Sequence, residues 1–316
     1  MRTLRFSNGD AMPQLGLGTW KSKPSEVYAA VREAIRAGCR HIDCAYTYGN
    51  ETEVGQALAD AMADGVKRDD LWVTSKLWNS FHRPADVQPA LETTLRHLRL
   101  DYIDLYLMHW PVALKPGVGF PKSADDMIGP DELPFTETWR AMEACVDRGL
   151  VRHIGVSNFS AAKLQRLLDG ERIKPAMNQV ELHPYLQQNE LIEFCGEHGI
   201  HVTAYSPLGS GDRPKGMKAA DEPSLLDEPA IAGIAQHHSA SPAQILIAWA
   251  LARGTAVIPK AVQREHIRQN LEAAKLELTP PDMDEIAKLD RHRRYVTGSF
   301  WALPGSGYTV ENIWDE

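Results

Sequence analysis

The chain has 316 residues, of which 43% are hydrophobic and 24% are charged, a composition that excludes collagen, a coiled coil and wholesale disorder. The 34 Lys and Arg against 42 Asp and Glu give a formal net charge of −8, which argues against nucleic acid or an anionic membrane as the main partner. The N-terminal segment contains Arg2, Arg5 and Asp10 and no continuous apolar run. It predicts neither a secretory signal nor a membrane span, and we expect a cytoplasmic protein.

In chain order, short β-rich runs alternate with longer segments of helical period, without a linker rich in Ser or Gly. The run from Thr3 to Phe6 and the turn pair Asn8-Gly9 predict a small β-hairpin that plugs one end of the fold. Strands are predicted at 15–17, 40–42, 71–75, 103–108, 153–156, 176–180, 201–204 and 256–258. Helices are predicted at 25–37, 51–64, 85–98, 136–148, 160–168, 188–198, 241–252 and 264–274, with an extra helix near 281–289.

A strand-helix unit that occurs eight times is most simply closed into a (β/α)8 TIM barrel, with residues 1–316 forming a single domain. A doubly wound open sheet would need fewer strands. Two connections are long, residues 110–135 after the fourth strand and residues 206–228 after the seventh, and loops of that length are usually functional. Residues 290–316 form a tail rich in Gly, Pro and aromatic side chains, which we expect to fold over the barrel mouth.

The four cysteines show no Cys-x-x-Cys spacing, so they suggest neither a metal site nor a disulfide framework. No other metal motif is present, and no bound metal is predicted. We expect reduced, mostly buried thiols at Cys39, Cys44, Cys145 and Cys195.

Polar side chains follow the predicted strands. Asp43 follows the second strand, Lys76 the third and His109 the fourth, and Tyr48 comes five residues after Asp43. Each residue alone has an ordinary explanation, such as a helix cap, a solvated lysine, a core histidine or a packed ring. Together they are expected to converge on one barrel mouth, where burying Lys or Asp is costly unless they pair.

Several segments, in order between residues 16 and 270, resemble the motifs of the aldo-keto reductase family. They are Gly18-Thr19-Trp20-Lys21, His41-Ile42-Asp43-Cys44-Ala45 with Tyr48, Ser75-Lys76-Leu77-Trp78, Met108-His109-Trp110-Pro111, Gly155-Val156-Ser157-Asn158-Phe159, Asn178-Gln179-Val180-Glu181 and Ile258-Pro259-Lys260. The segment Tyr205-Ser206-Pro207-Leu208-Gly209-Ser210, followed by Asp212-Arg213-Pro214, resembles the aldose and aldehyde reductase branch. The resemblance implies a carbonyl reductase that binds a nicotinamide cofactor across the barrel mouth without a Rossmann domain. Gly16-Leu17-Gly18 accordingly lacks the full dinucleotide-binding glycine pattern.

The resemblance implies that Tyr48 is the general acid that protonates the carbonyl oxygen. A free phenol has a pKa of about 10, so we expect Lys76 to lower the pKa of Tyr48 and Asp43 to make the buried ammonium tolerable. His109 is expected to be a neutral imidazole that hydrogen-bonds the substrate oxygen.

The resemblance also implies a set of cofactor-binding residues. Tyr205 would stack on the nicotinamide, Ser157, Asn158 and Gln179 would bond its carboxamide, and the loop after the seventh strand would cover the pyrophosphate. The remaining members are Gly18, Thr19, Trp20, Ser206, Leu208, Ser210, Asp212, Lys260, Ala261, His266, Gln269 and Asn270.

The 2′-phosphate end departs from the family pattern. Lys260 and Asn270 are present, but Ala261, His266 and Gln269 replace a serine, an arginine and an acidic residue. Arg264 and Arg268 are candidates for the missing guanidinium. We expect binding of NADP(H), with weaker binding of NAD(H).

The substrate side is predicted to be an aromatic pocket, with the tail supplying gates at Phe300, Trp301 and Leu303. Lys215 would make one edge cationic, which favours sugars, sugar phosphates or carboxylated aldehydes. The predicted lining is Trp20, Tyr48, Trp78, His109, Trp110, Phe120, Lys215 and Trp301.

The sequence thus predicts a monomeric, NADPH-preferring aldehyde or aldose reductase whose partner is a small carbonyl compound. Two alternatives remain at this stage. One is a barrel enzyme in which Lys76 forms a Schiff base with its substrate. The other is a redox sensor or regulatory subunit that binds NADP(H) with little turnover.

Overall fold

The barrel predicted from the strand-helix repeat is present in the computed structural model, which describes residues 2–219 and 222–316. Within these ranges, eight parallel strands form one sheet, and each barrel strand pairs with the next along the chain. Bridges from Leu15 to Val257 and from Gly18 to Lys260 close the sheet on itself. The strands are β1 Thr3–Arg5, β2 Ala11–Pro13, β3 Leu17–Gly18, β4 His41–Asp43, β5 Trp72–Leu77, β6 Ile103–Met108, β7 Ala113–Leu114, β8 Met127–Ile128, β9 Val151–Ser157, β10 Met177–Glu181, β11 His201–Tyr205 and β12 Ala256–Val257, with β3 to β6 and β9 to β12 in the barrel.

Helices occupy the predicted positions between the barrel strands, and two further helices were not predicted. One of these, α7, directly follows the long connection after β11, and the other, α11, has five residues and is too short to show a helical period. In the described ranges, no helix is both long and apolar enough to cross a membrane. The helices are α1 Pro24–Arg36, α2 Glu51–Ala63, α3 Pro84–Leu98, α4 Phe135–Asp147, α5 Ala161–Gly170, α6 Asn189–Glu197, α7 Pro229–His237, α8 Pro242–Ala252, α9 Arg264–Glu272, α10 Pro280–Ala287 and α11 Val310–Trp314.

The hairpin β1–β2 closes the end of the barrel at which the strands begin, as the sequence predicts. Its turn contains Gly9 at φ +92°, a conformation that favours glycine. Phe6 stacks on Trp72, with ring centroids 5.0 Å apart, and also contacts His153 and His201. These three partners lie at or near the starts of β5, β9 and β11, so the opposite end of the barrel remains open for the site.

The two long connections and the tail contain short regular elements. The connection after β6 contains the antiparallel pair β7–β8, in which Ala113 lies opposite Ile128. The connection after β11 contains 3₁₀ turns at Lys215–Met217 and Leu225–Asp227. The tail contains a 3₁₀ turn at Ser299–Trp301 before α11. All three segments contribute to the cavity at the barrel mouth.

Candidate active site

Four side chains meet at the carboxyl ends of neighbouring barrel strands. Asp43 is the last residue of β4, Lys76 is the penultimate residue of β5, and His109 directly follows β6. Tyr48 ends a 3₁₀ turn that follows β4. The parallel register of β4, β5 and β6 therefore brings together residues that are far apart in sequence.

The centre of the site is a buried ion pair between Lys76 and Asp43. The Lys76 Nζ atom donates hydrogen bonds to Asp43 Oδ1 at 2.6 Å, to the Cys44 carbonyl at 2.8 Å and to the Tyr48 hydroxyl at 3.2 Å. The other carboxylate oxygen of Asp43 accepts a bond of 2.7 Å from Gln179 Nε2. All three donor positions of the ammonium are thus used, and both carboxylate oxygens have a donor.

Burial and charge act in opposite directions on Lys76. Burial lowers the pKa of the ammonium, but the negative charge of Asp43, followed by Tyr48, raises it, and the net shift is upward. Lys76 is therefore held as a cation in an apolar surrounding.

The pKa of Tyr48 corrects the expectation drawn from the sequence. Burial raises the pKa of Tyr48 to about 12, although Lys76 acts downward through its charge and its hydrogen bond. Lys76 therefore lowers the pKa of Tyr48, as expected, but the loss of solvation raises this pKa by more. The phenol keeps its proton throughout the neutral range.

His109 is a neutral imidazole, as the sequence predicts. Burial, and then the charge of Lys76, lower the pKa of His109 well below its ordinary value. Its Nδ1 atom is buried and has no hydrogen-bond partner among the described residues, so Nε2 is the ring nitrogen available to a ligand. The ring meets Tyr48 edge to face at a centroid distance of 5.9 Å.

A cavity of about 590 Å³ extends from these groups across the barrel mouth. One wall is a hydrogen-bonded chain: Tyr205 donates from its hydroxyl to Asn158 Oδ1 at 2.7 Å, Asn158 Nδ2 donates to Ser157 Oγ at 3.1 Å, and Ser157 Oγ donates to the Gln179 carbonyl at 2.8 Å. The predicted cofactor residues that line this cavity are Gly18, Trp20, Ser157, Asn158, Gln179, Tyr205, Ser206, Leu208, Ser210, Asp212 and Lys260.

The predicted 2′-phosphate end lies only partly in the cavity lining. Lys260 lines the cavity and pairs with Asp212 at 3.1 Å. Arg264 and Arg268 are both exposed and both donate to Glu33 Oε1 on α1, at 3.1 and 2.8 Å. Sequence reasoning missed Glu33, since no local sequence pattern indicates that α1 packs next to α9. Of the other predicted cofactor residues outside the lining, Thr19, Ala261 and Asn270 are buried, and His266 and Gln269 are exposed.

The part of the cavity that is predicted to bind the substrate is aromatic. Phe120 stacks on Trp301 with ring planes 4° apart, and Trp301 also contacts Trp78 and Trp110. The predicted lining residues found here are Trp20, Tyr48, Trp78, His109, Trp110, Phe120 and Trp301, together with the predicted gate Phe300.

Lys215 does not have the predicted position. It is exposed and is not among the cavity-lining residues, because the chain turns so that Pro214 and Met217 face the cavity instead. The predicted gate Leu303 also lies outside the lining. Sequence reasoning missed Thr47, Met217, Leu226 and Val296, apolar or small residues in loops that carry no motif.

Comparisons with known proteins identify the family to which the sequence is similar. The sequence model of the Aldo/keto reductase family matches residues 14–291. An aldo/keto reductase of Synechocystis sp. is 56% identical over 322 residues, covering 100% of this chain and 97% of the relative. Aldo-keto reductase family 1 member A1 of Mus musculus is 48% identical over 291 residues, covering 91% of this chain and 89% of the relative. The Homo sapiens protein of that name has the same identity and coverage.

The buried ion pair leads to a stability prediction. Asp43→Asn removes the charge that compensates buried Lys76 and should lower the free energy of unfolding by about 3–5 kcal/mol. Asp212→Asn is the matched control, because it breaks the more exposed pair with Lys260 and should cost less than about 1 kcal/mol. Urea unfolding of both variants measures the difference, and equal losses would contradict the assignment of Asp43 as the compensating charge.

Proposed function

Because this chain belongs to the aldo/keto reductase family, we propose that it reduces aldehydes to alcohols, with NADPH as the preferred cofactor and Tyr48 as the general acid. The observation that carries this proposal is the Lys76 ammonium, hydrogen-bonded at once to Asp43 and to Tyr48 at the base of an apolar cavity. A charged lysine is costly to bury, and this arrangement presents a phenolic proton donor to a ligand in the cavity.

The residues of the cavity fit a nicotinamide dinucleotide. Its lining includes the aromatic ring of Tyr205, the side chains of Asn158 and Gln179, and the cation of Lys260. Such a set suits a flat carboxamide-bearing ring joined to phosphate groups. The bound cofactor supplies the hydride that the carbonyl carbon accepts.

The protein contributes the proton and the polarisation of the carbonyl. Tyr48 gives its hydroxyl proton to the carbonyl oxygen, and Lys76 stabilises the phenolate left behind. His109 holds the carbonyl oxygen with a hydrogen bond from Nε2 and, being neutral, adds no competing cation. Asp43 acts through Lys76, since it holds the ammonium in place.

The surroundings of Lys76 argue against the Schiff-base alternative. A Schiff-base lysine needs a neutral amine with a free lone pair. Here the amine is kept protonated and its hydrogen bonds are directed to three protein oxygens. The regulatory alternative has no specific observation in its favour, since Asp43, Tyr48, Lys76 and His109 are assembled for proton transfer.

The cavity favours neutral, apolar aldehydes over sugar phosphates and carboxylated aldehydes. Among the described residues lining the cavity, the Lys, Arg, Asp and Glu side chains are Asp43, Asp212 and Lys260, of which Asp43 is paired with Lys76 and the other two lie at the end assigned to the cofactor. The substrate end, formed by tryptophans and phenylalanines, offers no unpaired cation to a substrate anion. Lys215 was the reason for expecting sugars, sugar phosphates or carboxylated aldehydes, and it lies outside the lining.

We predict that Tyr48→Phe lowers aldehyde turnover by about 10²- to 10⁴-fold, the usual contribution of general acid catalysis. NADPH binding, measured by quenching of tryptophan fluorescence, should stay nearly unchanged because the ring remains. Tyr46→Phe, on the same 3₁₀ turn, is the control and should retain its turnover. Retention of more than about a tenth of the activity in Tyr48→Phe would mean that another group is the acid.

The coupling of Lys76 to Tyr48 predicts a shift in pH dependence. Alcohol oxidation needs the deprotonated phenol, and Lys76 lowers the pKa of Tyr48 against the larger upward effect of burial. In Lys76→Met the pKa of Tyr48 should therefore rise further, so that the rate of oxidation should increase only at higher pH than in the parent. An unchanged pH profile in an active Lys76→Met variant would contradict the coupling.

Cofactor preference should depend on Lys260. A charge-assisted bond to the 2′-phosphate is worth about 10- to 100-fold in affinity, so Lys260→Ala should weaken NADPH binding by that factor and leave NADH binding nearly unchanged. Lys275→Ala is the control, because Lys275 lies just beyond α9 and pairs with Glu272 on the surface. Equal affinity of the parent for NADPH and NADH, or equal losses for both in Lys260→Ala, would refute this role.

A further inference from the structure

The substrate end of the cavity is covered by two segments from distant parts of the chain. One is the connection after β6, which contains β7–β8 and carries Phe120. The other is the tail, which carries Val296, Phe300 and Trp301. The parallel stack of Phe120 on Trp301, with centroids 5.4 Å apart, is the place where the two segments meet over the cavity.

Neither segment belongs to the barrel sheet. The strands β7 and β8 are two residues long and form a separate two-stranded sheet. The tail is held at its root, where Glu181 accepts bonds from the backbone amides of Tyr295 and Val296, and at its tip, where Lys163 pairs with Asp315. Trp78, directly after β5, contacts both rings and donates from Nε1 to the Gly119 carbonyl at 3.0 Å. The position of Phe120 relative to Trp301 therefore depends on this contact with the barrel and on contacts between the two segments themselves.

Tyr308 makes such a contact through its hydroxyl group, which both accepts and donates a hydrogen bond. The hydroxyl oxygen accepts a bond from the Ala113 amide at 3.0 Å, and the hydroxyl donates to the Ile128 carbonyl at 3.0 Å. Ala113 and Ile128 are opposite each other in the β7–β8 pair. The hydroxyl thus bridges the two strands of the hairpin from the tail.

The surroundings of Tyr308 support this role. Its side chain lies in the same buried cluster as Trp78, Trp110 and Trp301. Burial raises the pKa of Tyr308 to about 12, which keeps the hydrogen that the Ile128 carbonyl needs. Because Ala113 is buried as well, loss of the hydroxyl would remove an acceptor of its amide at a place that water does not readily reach.

We propose that Tyr308 is a positioning residue for substrate selection, which couples the tail to the β7–β8 hairpin and so sets the distance between Phe120 and Trp301. This inference rests on the proposed aldehyde reduction. Tyr308 acts through the two aromatic walls, so it controls how well a bulky substrate is held and not the proton transfer at Tyr48. Small aldehydes, which fill less of the pocket, depend less on the position of these walls.

The test compares Tyr308→Phe with the matched control Tyr28→Phe, which removes a hydroxyl bonded to Asp60 on the surface of α1 and α2. In Tyr308→Phe the KM for 2-naphthaldehyde should rise about three- to tenfold, the range expected for one lost hydrogen bond, with little change in kcat. The constants for propanal and the dissociation constant of NADPH should stay within about twofold in both variants. Equal changes for the two aldehydes, or no change, would overturn the role in selection.

Hydrogen exchange separates this inference from the proposed function, because it needs no catalytic activity. The amide of Ala113 should be protected in the parent and should exchange about three- to tenfold faster in Tyr308→Phe but not in Tyr28→Phe. If the parent reduced no aldehyde, the proposed function would fail while exchange still tested the coupling. An unprotected Ala113 amide in the parent, or unchanged exchange in Tyr308→Phe, would overturn the coupling itself.

Discussion

A lysine ammonium buried at the barrel mouth is the constraint on which the rest of the site depends. Transfer of a charge of this kind from water costs several kcal/mol unless an opposite charge and hydrogen bonds replace the water. In this chain Asp43 supplies the charge, and the Cys44 carbonyl and the Tyr48 hydroxyl supply the remaining acceptors. Gln179, from the opposite side of the barrel, donates a hydrogen bond to the other carboxylate oxygen of Asp43. Closure of the barrel is thus needed to satisfy the carboxylate that pairs with this lysine.

The same burial sets the protonation of the neighbouring groups. It raises the pKa of Tyr48 and lowers that of His109, so the phenol is protonated and the imidazole is neutral. Both groups can then donate a hydrogen bond to a carbonyl oxygen. In the proposed reduction, in which the phenol gives up a proton, both groups are therefore in the required state at neutral pH. In the proposed reverse direction the phenol would first have to lose its proton, which the charge of Lys76 favours.

The mouth of the barrel divides into two regions with different physical origins. The proposed catalytic and cofactor groups lie at or near the ends of barrel strands, whose positions follow from the sheet register. The walls of the substrate end lie on β7–β8 and the tail, outside the barrel sheet. Their relative position depends on contacts such as those of Tyr308 with Ala113 and Ile128, which are 195 and 180 residues away along the chain. The walls and the ion pair are thus held by different parts of the chain, so the proposed substrate selection could change without disturbing the ion pair.

The sequence by itself determined the barrel, the hairpin plug, nine of the helices and the family, because these depend on local periodicity, turn residues and short motifs. It also placed Asp43, Lys76 and His109 at strand ends, and parallel pairing alone then brings such residues to one mouth. The tertiary structure alone decided the net pKa of Tyr48, since desolvation is a sum over neighbours from the whole chain. It also decided that Lys215 lies outside the cavity, that Glu33 holds Arg264 and Arg268, and that Tyr308 bridges the hairpin. These features depend on irregular backbone and on contacts between distant segments, for which a local sequence pattern carries no signal.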